Sequence, residues 1–453
     1  MIFTFKHTLI LFLALIFLLI GIFALPPVFA FFFSEDNSIS LLYLRVILYF
    51  ISAISFACSA IFVFKRKKLS SPPAFSSIAL FSLFSGAIIL ALIIGEFFLR
   101  TFFPLPNGMP NHNHLFQPDS IYGWQFIPDI TATVNWRYES QVQVSINSSG
   151  FRDDTFENQP HIAVLGDSFV AGMEVEDDER FTELLEQKLG MSVRNYGLNG
   201  YGPTQSLLQL RNRILTEDTE MVIFQLYLRN DFHDVSGTYE WMAVRQRPKA
   251  IISGDSIQQI KPVQNLPEVD VEYWQSCFQA DRKKPIRPQN FHLYNLMTKT
   301  KETITDRWFS EGKYKPHPPE RRLLSAETDS LFQNAFSDAR VILRAMKKIT
   351  QNHNIPFLVT IAPSFVQVND ELWDEFLSHY PNESFEREKL SRMIKEWGDE
   401  DNYPVLDLFP ALEKTSSEQT LYFPINQHWT PAGHKVVAEE LLPVLSSIIN
   451  GDK

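Results

Sequence analysis

Four short stretches hold the residues best suited to acyl chemistry. "GDSF" places Ser168 directly after the apolar run "HIAVLG". "NYGLNGYGPTQ" brings Gly200 into a turn, "YLRNDF" brings Asn230, and "INQHWTPAGH" brings His428 just ahead of a helix start. A serine hydroxyl becomes a strong nucleophile only when a neighbouring base takes its proton, and an imidazole is the usual base. Backbone N–H groups in a glycine-rich turn and an asparagine amide are the donors that stabilise a developing oxyanion. The chain carries its own control for the weak three-letter signal. Gly254, Asp255 and Ser256 repeat the GDS triplet inside "KAIISGDSIQQI". That copy has no apolar strand before it and no helix after it, and reads as the turn of a hairpin. Context therefore selects Ser168 over Ser256.

The elements that must position these residues alternate from His161 onward. "HIAVLG" is a short apolar run too short for a helix, and with "SVRNYG", "MVIFQLYL", "IPFLVTIAP" and "YPVLDL" it reads as one of a series of buried strands. Between them, amphipathic spacing predicts helices over Asp178–Leu189, Pro203–Leu215, Asp329–Thr350 and Glu383–Trp397, with a last helix over Pro431–Ile449. Thr430 suits the cap of that last helix and Pro431 its first turn. Strands alternating with helices predict an α/β fold: a three-layer α/β/α sandwich around a five-stranded parallel sheet of flavodoxin-like order. Ligands in such folds sit at the carboxyl ends of the strands, which is where Ser168, Gly200 and Asn230 fall. His434 lies inside the last helix and is expected to be structural.

With those residues in place, the chain from about 161 to 447 resembles the SGNH (GDSL-like) hydrolase superfamily. Its four blocks read here as "GDSF", "NGYG", "RND" and "NQHWTPAGH". The resemblance implies that Ser168 attacks an ester carbonyl and that His428 is the general base. It also implies an oxyanion hole built from the Ser168 and Gly200 backbone N–H groups and the Asn230 side chain. Members of this family hydrolyse esters or move acyl groups, often acetyl on carbohydrate, and membrane-anchored relatives act on cell-envelope glycans. No metal and no cofactor are implied.

One position departs from the pattern. The family carries an aspartate two or three residues before the histidine, and this chain has Asn426 and Ile425 there. Such a carboxylate fixes the imidazole tautomer and stabilises the imidazolium, and its replacement by Asn in a serine protease costs about 10⁴ in turnover. An Asn426 carbonyl oxygen, or a backbone carbonyl near Pro424, can accept the imidazole N–H without supplying charge. The expectation is a Ser168–His428 dyad with a weaker base, Asn426 its third member. A non-catalytic module that binds or helps assemble envelope polysaccharide is the alternative.

The rest of the chain sets the context. Three apolar runs, at about 8–33, 40–64 and 74–99, are each long enough to cross a ~30 Å hydrocarbon core. "KRKK" at Lys65–Lys68 lies between the second and third. Basic loops stay on the cytoplasmic side. The expectation is a multi-pass inner-membrane protein whose remainder faces the periplasm or exterior. Arg45 and Glu96 lie close enough to the ends of their runs to reach the interface. Residues 1–105 carry a net charge of +4 and the remainder −15. An acidic outer part lacks the clustered cations that nucleic acid requires. Cys58 and Cys277 fall on different sides of that boundary, so no disulfide is expected.

The expected domains are 1–105 in the membrane, 106–155 as linker and small β-rich segment, and 156–450 as the hydrolase-like domain with an insertion at about 232–325. The "NHNH" stretch reads as solvated linker. Within the insertion, Tyr239, Trp241, Tyr273, Trp274, Phe278 and Phe291 are candidate sugar-stacking residues, with ordinary packing the plainer reading. Expected partners are the lipid bilayer, an ester-bearing small molecule or glycan and, for a transferase, a protein that supplies the acyl donor.

Overall fold

The computed structural model describes residues 2–23, 25, 42–65, 85–86, 89, 91–102, 115–136, 139–236, 247–263, 291–297 and 318–450. The chain divides into two compact units. One comprises Met1–Met109 and Glu272–Glu302, the other Pro110–Val271 and Thr303–Lys453. Part of the expected insertion thus groups with the N-terminal residues. Cys277, "NHNH" and all the candidate sugar-stacking aromatics except Phe291 lie outside the described residues.

In the first unit, helices Ile2–Phe23 and Leu42–Phe64 pack together. Ser52 and Ser59 donate across their seam to the carbonyls of Gly21 and Ala14, at 2.7 and 2.8 Å. Most of the third apolar run lies outside the described residues. Among the described residues, no helix is long and apolar enough to cross a membrane. Glu96 is buried, and its carboxylate accepts from the His292 and Leu293 amides, at 3.1 and 2.9 Å, and from Arg100.

The second unit begins with two antiparallel hairpins. Strands β1 (Phe116–Asp119) and β2 (Gly123–Phe126) form the first, and β3 (Ile130–Trp136) and β4 (Ser140–Ile146) the second. Beyond β4, "NSSG" makes a turn. Asn147 closes it by accepting from the Ser149 and Phe151 amides, each at 3.0 Å.

The main sheet is parallel and five-stranded. Its strands are β5 (His161–Leu165), β6 (Ser192–Asn195), β7 (Thr219–Tyr227), β10 (Phe357–Ala362) and β11 (Val405–Asp407), in the spatial order β11-β10-β7-β5-β6. The expected flavodoxin-like order is therefore observed. Between β7 and β10 lies the exposed hairpin of β8 (Lys249–Ser253) and β9 (Ser256–Lys261).

Side chains alternate across the sheet and build two cores, as period-two geometry requires. Leu165, Phe224 and Val359 point to one face, against helices Pro203–Gln209, Ser330–Asn352 and Lys389–Asp401. Val164, Ile223 and Leu358 point to the other, against Phe181–Leu189, Phe409–Ser416 and Pro431–Asn450. Every residue of β5 and β10 is buried. Strands covered on both faces read as continuous apolar runs, which is why the sequence located them. The helix expected at Glu383–Trp397 starts six residues later, at Lys389, and Asp370–Ser378 forms a helix the sequence reading did not place.

Candidate active site

The order of the strands assembles the site. β5 lies between β6 and β7, so the loop after β5 is flanked by the loops after the other two. Ser168 leaves β5, the Gly200 turn leaves β6 and Asn230 leaves β7.

The nucleophile turn is crowded, and its residue types follow from that. A side-chain carbon at Gly166 would stand 2.5 Å from Val170 and 3.2 Å from the Gln225 carbonyl oxygen. Asp167 caps the one-turn helix Ser168–Ala171 by accepting from the Phe169 amide at 2.9 Å. Gly172 closes it in the left-handed region, at φ +60°, where only glycine is free of strain. Ser168 therefore stands at the first position of a fixed turn, half-buried.

The β6 loop is held just as tightly. A carbon added at Gly197 would meet the Ala171 nitrogen at 2.4 Å, so this loop lies directly on the nucleophile turn. Asn195 fastens the contact by donating to the Val170 carbonyl at 2.7 Å. Gly200 adopts φ +76°. The carbonyl of Asn199, in the same peptide unit as the Gly200 N–H, accepts from the Trp124 indole at 3.0 Å. A trans peptide points its C=O and N–H in opposite directions. Trp124 thus fixes the direction of the Gly200 N–H, and the first hairpin is part of the site's scaffold. Tyr201 and Gln205 bind back to the Trp124 and Tyr122 carbonyls, at 2.6 and 2.7 Å.

Asn230 follows β7. Its amide donates to Asp234 at 3.2 Å, and Arg247 pairs with the same carboxylate at 2.7 Å. Asp167, Asp231 and Asp234 are fully buried around it, and burial raises the proton affinity of all three. For Asp167 the value reaches about 7.

His428 arrives on a loop closed by Gln427 N–H to Phe423 O at 2.9 Å and Phe423 N–H to His428 O at 2.8 Å. Gln427 sits at φ +66°, which costs roughly 1–3 kcal/mol in a residue with a side chain. Arg229 offsets part of that strain by donating to its side-chain oxygen at 2.8 Å. Glu139, at the tip between β3 and β4, accepts from the Ile425 and Asn426 amides, at 2.6 and 2.8 Å. Phe169 lies 4.9 Å and Trp136 6.2 Å from the imidazole centroid. As expected, Thr430 caps the following helix, accepting from Gly433 N–H at 3.3 Å.

These constraints bring His428 Nε2 to 2.7 Å from Ser168 Oγ, across 260 residues of chain. For Nε2 to accept the hydroxyl proton, the neutral ring must carry its hydrogen on Nδ1. The oxygen beside Nδ1 does not come from Asn426. The Asn426 side-chain oxygen accepts from the His428 backbone N–H at 2.9 Å instead. Glu174 Oε1 lies 3.1 Å from Nδ1, without the alignment of a full hydrogen bond, and neither atom has another partner.

Glu174 is 1% exposed, in the loop that follows the nucleophile turn. Trp136 grips that loop by donating to Met173 O at 2.7 Å, and Arg152 does so by donating to Val175 O at 2.6 Å. Burial raises the Glu174 carboxyl to about 8, partly offset by Arg152. Burial, with Arg229 nearby, lowers His428 to about 3. Both movements favour the uncharged pair.

Sequence reasoning missed Glu174 because it looked for the carboxylate beside the histidine. The available signal was weak: Glu174 follows a turn already singled out, but it is one of five acids between Met173 and Arg180. His434, expected to be structural, packs beside the end of the nucleophile turn at Gly172, and its Nδ1 accepts from the Phe181 amide at 3.3 Å. Ser256 begins β9 on the exposed hairpin. Among the described residues, no cluster of side chains suits a metal ion.

The fold and site together define an α/β sandwich with a serine–imidazole pair at the carboxyl edge of its sheet. No family model and no curated protein matches the chain. Among solved structures, it is similar to a lipolytic G-D-S-L family member from Veillonella parvula, at TM-score 0.33 and 9% identity over 64% of this chain and 99% of that one. A putative lipolytic G-D-S-L protein from Desulfitobacterium hafniense matches at TM-score 0.31 and 12% identity, over 63% and 99% of the two chains. A catalytic mutant of an acetylxylan esterase from Geobacillus stearothermophilus matches at TM-score 0.31 and 12% identity, over 64% and 94%.

Proposed function

We propose that this protein is an SGNH-type serine esterase or O-acyltransferase. The observation that carries the reading is the 2.7 Å approach of Ser168 Oγ to His428 Nε2. In the reaction, Oγ attacks the ester carbonyl as its proton passes to Nε2. The carbonyl oxygen, now negative, is met by the Ser168 and Gly200 N–H groups and the Asn230 amide. The intermediate collapses, the leaving alkoxide takes the proton from Nε2, and the acyl group remains on Ser168. Water then completes hydrolysis, or a second alcohol completes transfer.

We assign the acyl group as acetyl and its carrier as a cell-envelope carbohydrate or lipid, in line with the resemblance of the four motif blocks. We further propose attachment to the inner membrane with the α/β unit on the outer side. The three apolar runs and the basic Lys65–Lys68 loop support this. A transferase would need a partner that supplies the acyl donor.

The test is hydrolysis of p-nitrophenyl acetate by the full chain in detergent. The reading requires a rate that disappears in Ser168→Ala. Equal rates in the two proteins would leave the alternative, a non-catalytic module on envelope polysaccharide.

A further inference from the structure

We propose that Glu174 is the positioning carboxylate of the Ser168–His428 pair, so that the charge expected beside the histidine is supplied from the loop after the nucleophile. This rests on the reading of Ser168 and His428 as an acyl-transfer pair.

Three observations converge on it. First, Glu174 Oε1 stands 3.1 Å from His428 Nδ1, the ring nitrogen opposite the one that faces Ser168. Second, Asn426 is committed elsewhere: its side-chain oxygen holds the His428 backbone N–H, and its own N–H is held by Glu139. Third, Glu174 is built into place. It is 1% exposed, and the carbonyls on either side of it are fixed by Trp136 and Arg152. A carboxyl is costly to bury, and the Glu174 oxygen that faces Nδ1 makes no hydrogen bond of its own. A glutamate reaches one methylene further than an aspartate, which suits a carboxylate arriving from a neighbouring loop.

In the reaction, His428 gains the Ser168 proton on Nε2 while keeping its hydrogen on Nδ1. The imidazolium formed then faces Glu174. An ionised Glu174 stabilises that charge, while a protonated one does so only weakly. The charged groups that bear on Glu174 are Arg152, Asp167, Glu139 and His428 itself. Arg152 is shared with Asp177 at 2.9 Å, and Arg229 and His434 bear on His428. Burial holds Glu174 near 8, so turnover should rise with pH through that value as the proton leaves. Burial also holds His428 near 3, so the imidazole contributes no inflection between about pH 5 and 9.

The experiment measures kcat and KM of the full chain on p-nitrophenyl acetate from pH 5.5 to 9.5, for wild type, Glu174→Gln, Glu174→Asp and Ser168→Ala. Glu174→Gln should lower kcat between about 10²- and 10⁴-fold with KM little changed, and lose the alkaline rise. Glu174→Asp should recover part of the rate and keep the rise. A Glu174→Gln protein with wild-type kcat and pH profile, alongside a dead Ser168→Ala, overturns the role of Glu174 and leaves the esterase reading standing. Activity retained in Ser168→Ala removes the esterase reading, and this inference with it. If Glu174→Gln does not fold, Glu174→Asp decides: its shorter side chain draws the carboxylate away from Nδ1, so a Glu174→Asp protein with wild-type kcat and KM overturns the proposal.

Discussion

The chain contains the same three residues, Gly-Asp-Ser, in two regions, and only one copy is built for chemistry. At 166–168 the triplet leaves a fully buried parallel strand and enters a one-turn helix. Its aspartate is buried as a helix cap, and its serine hydroxyl touches an imidazole. At 254–256 the triplet turns an exposed antiparallel hairpin. Asp255 is 89% exposed and pairs only with Arg344 at 3.2 Å, and Ser256 donates to Ser253 O at 3.3 Å. The difference lies in what surrounds the triplet: a central strand gives the first copy two flanking loops, whereas the second turns the exposed end of a hairpin whose Ile252 and Ile257 serve only to pack against the core. Reactivity is therefore a property of strand order, and the comparison can be broken or sharpened at several points.

The largest expected effect is in the serines themselves. Ser168→Ala should reduce p-nitrophenyl acetate turnover by at least about 10³-fold, while Ser256→Ala leaves it unchanged. Loss of activity in the second variant would show that the hairpin copy takes part.

The glycines come next. Gly197→Ala should cost about 3 kcal/mol or more, because its new carbon would meet the Ala171 backbone nitrogen at 2.4 Å. Gly254→Ala meets nothing within 4 Å and bears only the strain of φ +58°, about 1 kcal/mol. Urea unfolding of both variants checks the contrast.

A smaller effect is expected at one remove from the pocket. Trp124→Phe keeps the ring and deletes the N–H that holds Asn199 O. With the Gly200 N–H less firmly aimed, kcat should fall about tenfold, below the 10²–10³ that deleting an oxyanion donor outright costs. KM should barely move.

The smallest effect is a shift in stability with pH. Burial raises Asp167 to about 7, Glu183 to about 7 and Glu174 to about 8. A carboxyl whose folded value is raised contributes stability fully present below its ordinary value near 4, and that contribution is lost as pH rises through 7–8. His428 and His434, lowered to about 3, act in the opposite sense, losing stability as pH falls below 6.5. The carboxyls outnumber the imidazoles, so the melting temperature of the α/β unit should be highest on the acid side of neutrality and fall from about pH 5 to 8. A melting temperature that climbs steadily from pH 5 to 8 would contradict the burial of these acids.

Much of this was legible in the residues alone. The central strands of the main sheet, β5, β7 and β10, are buried and mostly apolar on both faces, and that pattern needs no partner to be read. Ser168, Gly200 and Asn230 each follow such a strand, so their shared edge was implied once the sheet was. Thr430 and Pro431 announced the start of the last helix through local hydrogen-bonding and backbone preference. The hairpins before β5 were less legible. The β-rich character of the segment was legible, but which of its turns joins paired strands was not, because an asparagine turn looks the same whether or not it joins two paired strands.

What the sequence determined by itself is the set of short-range facts: which runs are buried, where turns and caps fall, and which side chains bear a hydroxyl, an imidazole or an amide. These follow from interactions between residues a few positions apart. Only the tertiary structure decided which carboxyl stands beside His428. Glu174 and His428 are joined by no periodicity and no spacing. They meet because β5 is central, because the loop after it is pinned by Trp136 and Arg152, and because Glu139 draws the His428 loop onto the second hairpin. A contact made by three independent anchors leaves no local trace, so the partner could not be read from the motif beside the histidine.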